Sequence, residues 1–183
     1  MKRLITTALL LAFSSSLLPA APVSPGRPGP TPYDQYMRPV SQVLRKLNGE
    51  TPSFQKVAAL TRQGFGFRYV YDTPYVAPLP QVTAARRAGD CKAKSLWLAS
   101  EMNDPSVRYV IGKARRTSKI SHAWLMWKYN DQWWILDPTN NPKPILASQT
   151  SVDEYLVLYT YDRSGSYRHQ MPSRRSVVAG QRQ

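Results

Sequence analysis

The chain contains a single cysteine, Cys91, whose neighbours are typical of the first turn of a helix. Asp90 precedes it and is a good N-cap, because its carboxylate can accept hydrogen bonds from backbone N–H groups that no earlier turn satisfies. Cys91 would then take the first helical position, where the positive end of the helix dipole favours the thiolate over the thiol. Nearby basic side chains act in the same direction: Arg86, Arg87, Lys92 and Lys94. The stretch predicts a nucleophile at a helix start, and a cysteine that simply packs in the core is the alternative.

A hairpin is predicted downstream, where residues 120–129 and 132–136 have the pattern of two strands around Asn130-Asp131. Both turn residues tolerate left-handed backbone angles, as a two-residue hairpin loop requires. If Tyr129 lies opposite Gln132, the register of the whole hairpin follows. Directly opposed side chains share a face of the sheet, and alternate residues return to that face.

That register brings a histidine and a carboxylate together. His122 and Asp137 lie on the same face as diagonal neighbours, roughly 7–8 Å apart at the backbone; a three-residue loop would separate them. A histidine beside a carboxylate can keep one ring nitrogen protonated while the other faces a thiol, which an activated cysteine requires. We therefore predict a catalytic triad of Cys91, His122 and Asp137. The alternative for His122 taken alone is an interior histidine, and the alternative for Asp137 taken alone is the opening of an Asp-Pro turn.

Three blocks of the sequence resemble the signature blocks of the transglutaminase-like superfamily, in the same order of cysteine, histidine and aspartate. They are Gly89-Asp90-Cys91, His122-Ala123-Trp124 and Leu136-Asp137-Pro138-Thr139. The match extends over residues 54–139 and includes a strand at 107–110 between the first two blocks. The resemblance implies a papain-like α+β fold, in which N-terminal helices and a cysteine-bearing helix pack on an antiparallel sheet that carries His122 and Asp137.

Among small exported members, the chain is similar to the bacterial transglutaminase-like cysteine proteinases, which act in the periplasm. The resemblance implies thiol-dependent hydrolysis of protein or peptide amides, with protein cross-linking as the alternative. Some of these relatives depend on calcium held by acidic residues near the cysteine. Asp90 is present here, but Lys92 follows the cysteine. No cofactor or metal is therefore expected, and calcium is the alternative.

The chemistry predicted from these residues is acyl transfer through a thioester. Cys91 attacks an amide carbonyl, His122 passes a proton to the leaving amine, and Asp137 orients the imidazole. The backbone N–H of Cys91 would hold part of the oxyanion. A second donor is needed, and Gln63 and Gln81 are the candidates in the sequence.

The elements that must position these residues follow from hydrophobic spacing and from start and stop signals. Helical spacing covers residues 33–47, where Pro39 kinks the helix or delays its start, and Thr51-Pro52 opens a second helix to about residue 62. The cysteine helix ends near residue 103, because Asp104-Pro105 stops it. Residues 73–80 form an extended loop with three prolines. Further strands are predicted at 65–71, 107–111, 155–161 and 166–169.

The N-terminus predicts export. Residues 1–20 have a charged start, an apolar run and a small residue at a cut site, as in a secretory signal peptide; an uncleaved membrane anchor is the alternative. The predicted organisation continues with an unstructured Pro-rich linker at 21–32, a catalytic domain at 33–171 and a disordered basic tail at 172–183. We expect the mature protein in the periplasm or secreted, without a transmembrane segment.

The chain is strongly basic, with a formal net charge of +14. Such a balance favours contact with polyanions, here anionic envelope polymers, in addition to a protein or peptide substrate. The sequence contains no recognisable nucleic-acid-binding motif, and its two histidines and one cysteine argue against a structural zinc site. The alternative from another functional class is a non-catalytic module that holds an anionic polymer on its basic surface.

Overall fold

The computed structural model describes residues 26–73 and 75–171. Within them, four helices accompany two sheets. The helices are α1 (Arg38–Lys46), α2 (Phe54–Phe65), α3 (Pro80–Arg86) and α4 (Cys91–Met102). The strands are β1 (Arg27–Pro28), β2 (Arg68–Tyr69), β3 (Ala88–Gly89), β4 (Arg108–Arg115), β5 (His122–Tyr129), β6 (Gln132–Leu136), β7 (Ile145–Leu146), β8 (Glu154–Tyr161) and β9 (Ser166–Arg168). Short 3-10 helices lie at Asp34–Tyr36 and Ala147–Gln149.

The larger sheet has seven antiparallel strands in the order β1-β9-β8-β4-β5-β6-β7. Strands β2 and β3 form a separate two-stranded parallel pair, which leads the chain into the start of α4. The α+β class and the antiparallel sheet predicted from the sequence are confirmed.

Helix α4 is the most enclosed element of the fold. Nine of its twelve residues are buried, because α1, α2, α3 and β5 all pack against it. It begins directly after the Asp90 cap and ends at Asn103, which takes a left-handed φ of 50°. Both ends agree with the prediction. The surrounding core holds the cysteine-bearing helix fixed relative to the sheet.

The hairpin register agrees with the prediction as well. Tyr129 pairs with Gln132, and Leu125 pairs with Leu136. The turn residues Asn130 and Asp131 have φ values of 48° and 58°, the left-handed angles that a two-residue loop requires. As a result β5 starts at His122, and Asp137 follows directly after β6.

The two faces of the large sheet carry separate clusters of buried apolar side chains. The face toward the helices includes Ile111, Leu125 and Leu136, which pack with α4. The opposite face carries Val110, Trp124, Met126 and Ile135. This alternation follows from the two-residue period of a strand.

A bulge interrupts the pairing of β4 with β8. Ile111 lies opposite Tyr159, but the next residue, Gly112, lies opposite Val157. The extra residue reverses the faces of the following part of β8, so that Val157 and Tyr155 share the face of Trp124. At Gly112 the strands approach so closely that a Cβ would lie 2.0 Å from the carbonyl oxygen of Leu156.

The first two helices start later than the spacing predicts. Pro39 lies in the first turn of α1, and the helix begins at Arg38 after the short 3-10 helix, which is the delayed start that Pro39 predicted. The N-cap of α2 is Ser53, whose hydroxyl accepts from the Lys56 N–H at 3.3 Å, and not Thr51. Serine is a good cap, and here it outcompetes the Thr-Pro signal two residues earlier.

Three segments differ more substantially. Residues 65–71 supply only the two-residue strand β2, and α3 occupies a region in which no helix was predicted. The described part of the linker, residues 26–32, is ordered: β1 pairs with β9, and Thr31 is buried and bonded to Asp34. The predicted signal peptide and the predicted basic tail lie outside the described residues. None of the helices in the described ranges has the length and apolar character that a bilayer span needs.

Candidate active site

Cys91 is the first residue of α4 and is partly exposed. The carboxylate of Asp90 caps the helix by accepting hydrogen bonds from the N–H of Lys92 at 2.9 Å and of Ala93 at 3.1 Å. The cap engages those two amides and leaves the N–H of Cys91 outside the capping hydrogen bonds. The thiol stands at the positive end of the helix dipole, as predicted.

The imidazole of His122 lies at the end of the sheet beside this helix start. Its Nε2 is 2.8 Å from Oδ2 of Asp137, and the side chains are 12% and 0% exposed. The other oxygen of Asp137 accepts from the backbone N–H of Thr139 at 3.1 Å and of Asn140 at 3.2 Å. The carboxylate is therefore fixed by its own turn. With Nε2 occupied by Asp137, Nδ1 is the ring nitrogen left for the thiol.

Two contacts align the helix with the strand that carries the histidine. Ser95 lies one helical turn beyond Cys91, and its hydroxyl donates to the carbonyl of Ala123 at 3.2 Å. Trp124 stacks against the His122 ring, with centroids 5.9 Å apart and planes at 25°. Trp124 is fully buried, so it supports the imidazole from within the sheet.

The electrostatics of the group favour a charged imidazole. Burial of the His122 ring disfavours its protonation, but the hydrogen bonds and charges of Asp137 and Cys91 outweigh burial and raise the pKa of His122 to about 9. Burial alone would raise the pKa of Asp137, yet its hydrogen bonds to His122, Thr139 and Asn140 and the charge of the ring lower that pKa. Near neutral pH the pair is an imidazolium and a carboxylate.

Two residues that the sequence reading missed complete the surroundings of Asp137. The Tyr155 hydroxyl donates to Oδ2 of Asp137 at 3.1 Å, and the Asn140 side-chain amide donates to the same oxygen at 3.0 Å. The Asn140 amide is also 3.0 Å from Nε2 of His122, but a protonated Nε2 cannot accept, so this is a contact and not a hydrogen bond. Burial and the Asp137 charge raise the pKa of Tyr155 far above its usual range.

The sequence contains a signal for the position of Asn140 but none for that of Tyr155. Asn140 follows the Asp-Pro-Thr turn, and a turn-capping role for Asp137 would have placed it nearby. Tyr155 has a left-handed φ of 48° and reaches Asp137 only because of the bulge in β8. Nothing in a strict two-residue alternation predicts that bulge.

Two further tyrosines lie within the electrostatic reach of the cysteine. Burial is the main cause that raises the pKa of Tyr69, and the charges of Cys91 and Asp90 act in the same direction. Burial, followed by Tyr33 and Cys91, raises the pKa of Tyr75. Both phenols stay neutral near pH 7 and can donate hydrogen bonds on this side of the site.

The remaining candidates from the sequence lie apart from this group. Gln63 is exposed on α2 and Gln81 is exposed on α3. No hydrogen bond found among residues 26–73 and 75–171 joins either of them to the cysteine. The second histidine, His169, lies after β9 with Nε2 2.9 Å from the Thr160 hydroxyl.

Comparison with known proteins identifies the fold. No protein-family model matches the sequence, and no curated protein matches it. Among solved structures, Legionella pneumophila LapG superposes with a TM-score of 0.53 at 16% identity, over 76% of this chain and 81% of LapG. EGTA-treated LapG gives 0.52 at 16% identity over 74% and 79%, and calcium-bound LapG gives 0.50 at 18% over 72% and 77%. The transglutaminase-like α+β fold implied by the three sequence blocks is confirmed.

LapG occurs in a calcium-bound form, so the ligands that calcium needs bear on the residues near Cys91. Calcium takes six to eight oxygen ligands, several of them carboxylates. No group of three or more His, Cys, Asp or Glu side chains in the described part of the chain could hold a metal. Asp90 is already engaged by two amides and by the ammonium of Lys92. The donor set beside the cysteine does not fit calcium.

Proposed function

We propose that the protein is a cysteine peptidase or amidase that hydrolyses protein or peptide amides through a triad of Cys91, His122 and Asp137. The observation that carries this proposal is the 2.8 Å contact of His122 Nε2 with Asp137 Oδ2, in a ring whose charge state also responds to the Cys91 thiol. A thiol, an imidazole and a carboxylate in this order form the arrangement that activates a nucleophile. The fold shared with LapG supports the proposal.

In the acylation step the Cys91 thiolate attacks the carbonyl carbon of the scissile amide. A carbon–sulfur bond forms, and the carbonyl electron pair moves to oxygen. The imidazolium of His122 then gives its Nδ1 proton to the amide nitrogen, the carbon–nitrogen bond breaks, and the amine leaves. The products are a thioester on Cys91 and a neutral His122.

In the deacylation step neutral His122 takes a proton from water as the water oxygen attacks the thioester. The carbon–sulfur bond breaks, the carboxylic acid leaves, and the thiolate and imidazolium are restored. Asp137 keeps Nε2 protonated throughout, so Nδ1 is always the nitrogen that exchanges protons. Tyr155 and Asn140 hold Asp137 in place by donating to Oδ2.

The oxyanion of both steps would accept a hydrogen bond from the Cys91 N–H at the start of α4. Removing one such donor in other enzymes slows turnover by roughly 10²–10³-fold. The second donor stays a prediction: Gln63 and Gln81 were the candidates from the sequence, and the neutral phenol of Tyr69 is a further one because its pKa responds to the charge of Cys91.

The location and the partners belong to the same proposal. A signal peptide at residues 1–20 would deliver the protein to the periplasm or outside the cell, and N-terminal sequencing of the mature chain tests this. A basic groove of about 540 Å³ includes the cationic side chains of Arg45, Arg108, Lys128 and Arg163. It offers a surface for an anionic envelope polymer, and salt-sensitive binding that the R108E/R163E variant abolishes would support that partner.

The central experiment compares envelope proteins exposed to the wild-type protein and to Cys91→Ala. New protein termini that appear only with the wild type would support hydrolysis. A labelled primary amine added to the same reaction distinguishes the alternative: its incorporation into proteins in excess of new termini indicates cross-linking. A non-catalytic binding module would give neither new termini nor incorporated amine. Its affinity for the polymer would also be unchanged by alkylation of Cys91.

A further inference from the structure

Lys92, the residue after the proposed nucleophile, carries a buried ammonium group. Its side chain is 2% exposed, and it forms an ion pair with Asp90, which is 1% exposed. Lysine is almost never buried at this level unless it is paired. Such a pair is costly to desolvate and strongly destabilising when one partner is removed. A role in solubility, which explains most surface lysines, therefore does not account for this buried pair.

Aromatic rings enclose the same ammonium group. Its Nζ lies 4.4 Å from the ring centroid of Tyr75 and 5.3 Å from that of Tyr71, both within the range of a cation–π interaction. The main chain of Lys92 is also held, because the Tyr109 hydroxyl donates to its carbonyl at 3.3 Å. The surroundings are built to retain a positive charge at this point.

The ion pair acts on the helix cap. Asp90 accepts from the N–H of Lys92 and of Ala93 while it contacts the ammonium, and the N–H of Asp72 approaches its Oδ2 at 3.5 Å. Among the described residues, Oδ2 of Asp72 is buried without a hydrogen-bond partner. Two carboxylates thus lie close to the first turn of α4, and the Lys92 ammonium is the cation paired with the capping one.

We infer that Lys92 is an internal counter-ion that holds the Asp90 cap, and through it Cys91, without a bound divalent cation. LapG, with the same fold, occurs in a calcium-bound form. Here the Lys92 ammonium forms an ion pair with the Asp90 carboxylate, next to the cysteine. Lys92 is a positioning residue for the proposed reaction, and this inference rests on that function only for its kinetic consequences. The stability of the chain and the reactivity of its thiol should be independent of calcium.

The first test measures the melting temperature of the purified protein in EGTA and in millimolar calcium chloride. The wild type should melt at the same temperature in both. Lys92→Met should melt roughly 10 °C lower in both, since it leaves a buried carboxylate unpaired. Lys92→Asp creates a third carboxylate beside Asp72 and Asp90, so it should melt low in EGTA and recover in calcium.

The matched control is Lys94→Met. Lys94 is equally buried on the same helix, but its ammonium donates to the carbonyl of Phe67 at 2.5 Å and not to the capping carboxylate. Lys94→Met should lose stability without slowing alkylation of Cys91 by iodoacetamide. Lys92→Met should slow that alkylation several-fold, and Lys92→Arg should restore most of it, which a purely structural role for Lys92 would not produce.

A wild-type melting temperature that rises in calcium, or calcium binding by the wild type in calorimetry, would overturn the inference even if no Lys92 variant folds. The inference would also be overturned if Lys92→Met melted at the wild-type temperature and its Cys91 reacted with iodoacetamide at the wild-type rate. These readouts need no substrate. The same melting series in a Cys91→Ala background separates failure of this inference from failure of the peptidase assignment.

Discussion

Nε2 of His122 lies 2.8 Å from Oδ2 of Asp137, although the two residues are diagonal and not direct neighbours in the hairpin. In this register Trp124 lies opposite Asp137, and its buried ring stacks against the imidazole. The pairing is set by a turn of two residues, and a loop one residue longer would turn the two side chains to opposite faces. The geometry of the site thus depends on Asn130 and Asp131, two exposed turn residues at the far end of the hairpin.

Replacement of the nucleophile should abolish turnover and leave the fold intact. We expect Cys91→Ala to lower kcat by at least roughly 10⁴-fold, as loss of a nucleophile does in other triads, with a far-ultraviolet dichroism spectrum like that of the wild type. The control is His169→Ala, which removes the histidine that contacts Thr160 and should retain activity. Full hydrolysis by Cys91→Ala would refute the assignment.

Replacement of the carboxylate should act through the imidazole. Asp137→Asn removes the carboxylate charge, which acts together with Cys91 to raise the pKa of His122 to about 9, so that pKa should fall toward 6.5 in an NMR titration of the ring. We expect kcat to fall by roughly 10³–10⁴-fold. Asp104→Asn is the matched control, because that buried carboxylate accepts from Trp127 Nε1 at 2.8 Å, away from His122. An unchanged ring titration in Asp137→Asn would contradict the assigned pairing.

Activity should decline as the pH rises through about 9. His122 must be protonated to supply the leaving amine with a proton, and its folded-state pKa is raised from 6.5 to about 9. The same shift contributes stability that is fully present below pH 6.5 and is lost as the pH rises through about 9. Asp137 has a lowered pKa, so its contribution is lost as the pH falls below 3.8. Profiles of kcat/KM and of melting temperature against pH test both, and His122→Ala should remove the alkaline loss of stability.

The close approach of β4 and β8 should not tolerate a methyl group. Gly112→Ala places a Cβ 2.0 Å from the Leu156 carbonyl oxygen and 2.6 Å from the Trp124 ring, so one strand must move. We expect a loss of several degrees in melting temperature and a lower kcat, because the bulge that aims Tyr155 at Asp137 adjoins this point.

Gly66→Ala is the matched control for that variant. Its Cβ would meet only backbone oxygens at 3.4 Å and 3.7 Å, in ordinary contact, and its φ of −70° suits alanine. It should be nearly neutral. Equal stability of Gly112→Ala and Gly66→Ala would contradict the close approach of β4 and β8 at Gly112.

Local chemistry accounts for the parts of the site that the sequence predicted. Asp90 determines the start of α4 through hydrogen bonds to residues two and three positions away, and Asn130-Asp131 determines the register through two dihedral angles. Both effects act over a few residues, so the order of residue types is sufficient to predict them. The positions of Cys91, His122 and Asp137 follow from these two elements and the packing of α4.

Long-range packing accounts for the parts that were missed. Tyr155 faces Asp137 because of a bulge against Gly112, which depends on how two distant strands meet. Strand β1 is ordered by pairing with β9, some 140 residues away in the sequence. The proline content around β1 indicated a linker, because this long-range pairing has no local signal. Helix α3 begins at Pro80, the last residue of the predicted extended loop, although proline is equally suited to a first helical turn. A single sequence contains these alternatives without deciding among them.

The lone cysteine gives the protein a practical property. Since every free sulfhydryl in a preparation belongs to the proposed nucleophile and is partly open to solvent, a colorimetric thiol assay counts functional centres directly. Oxidised or blocked molecules can then be subtracted from any specific activity before variants are ranked.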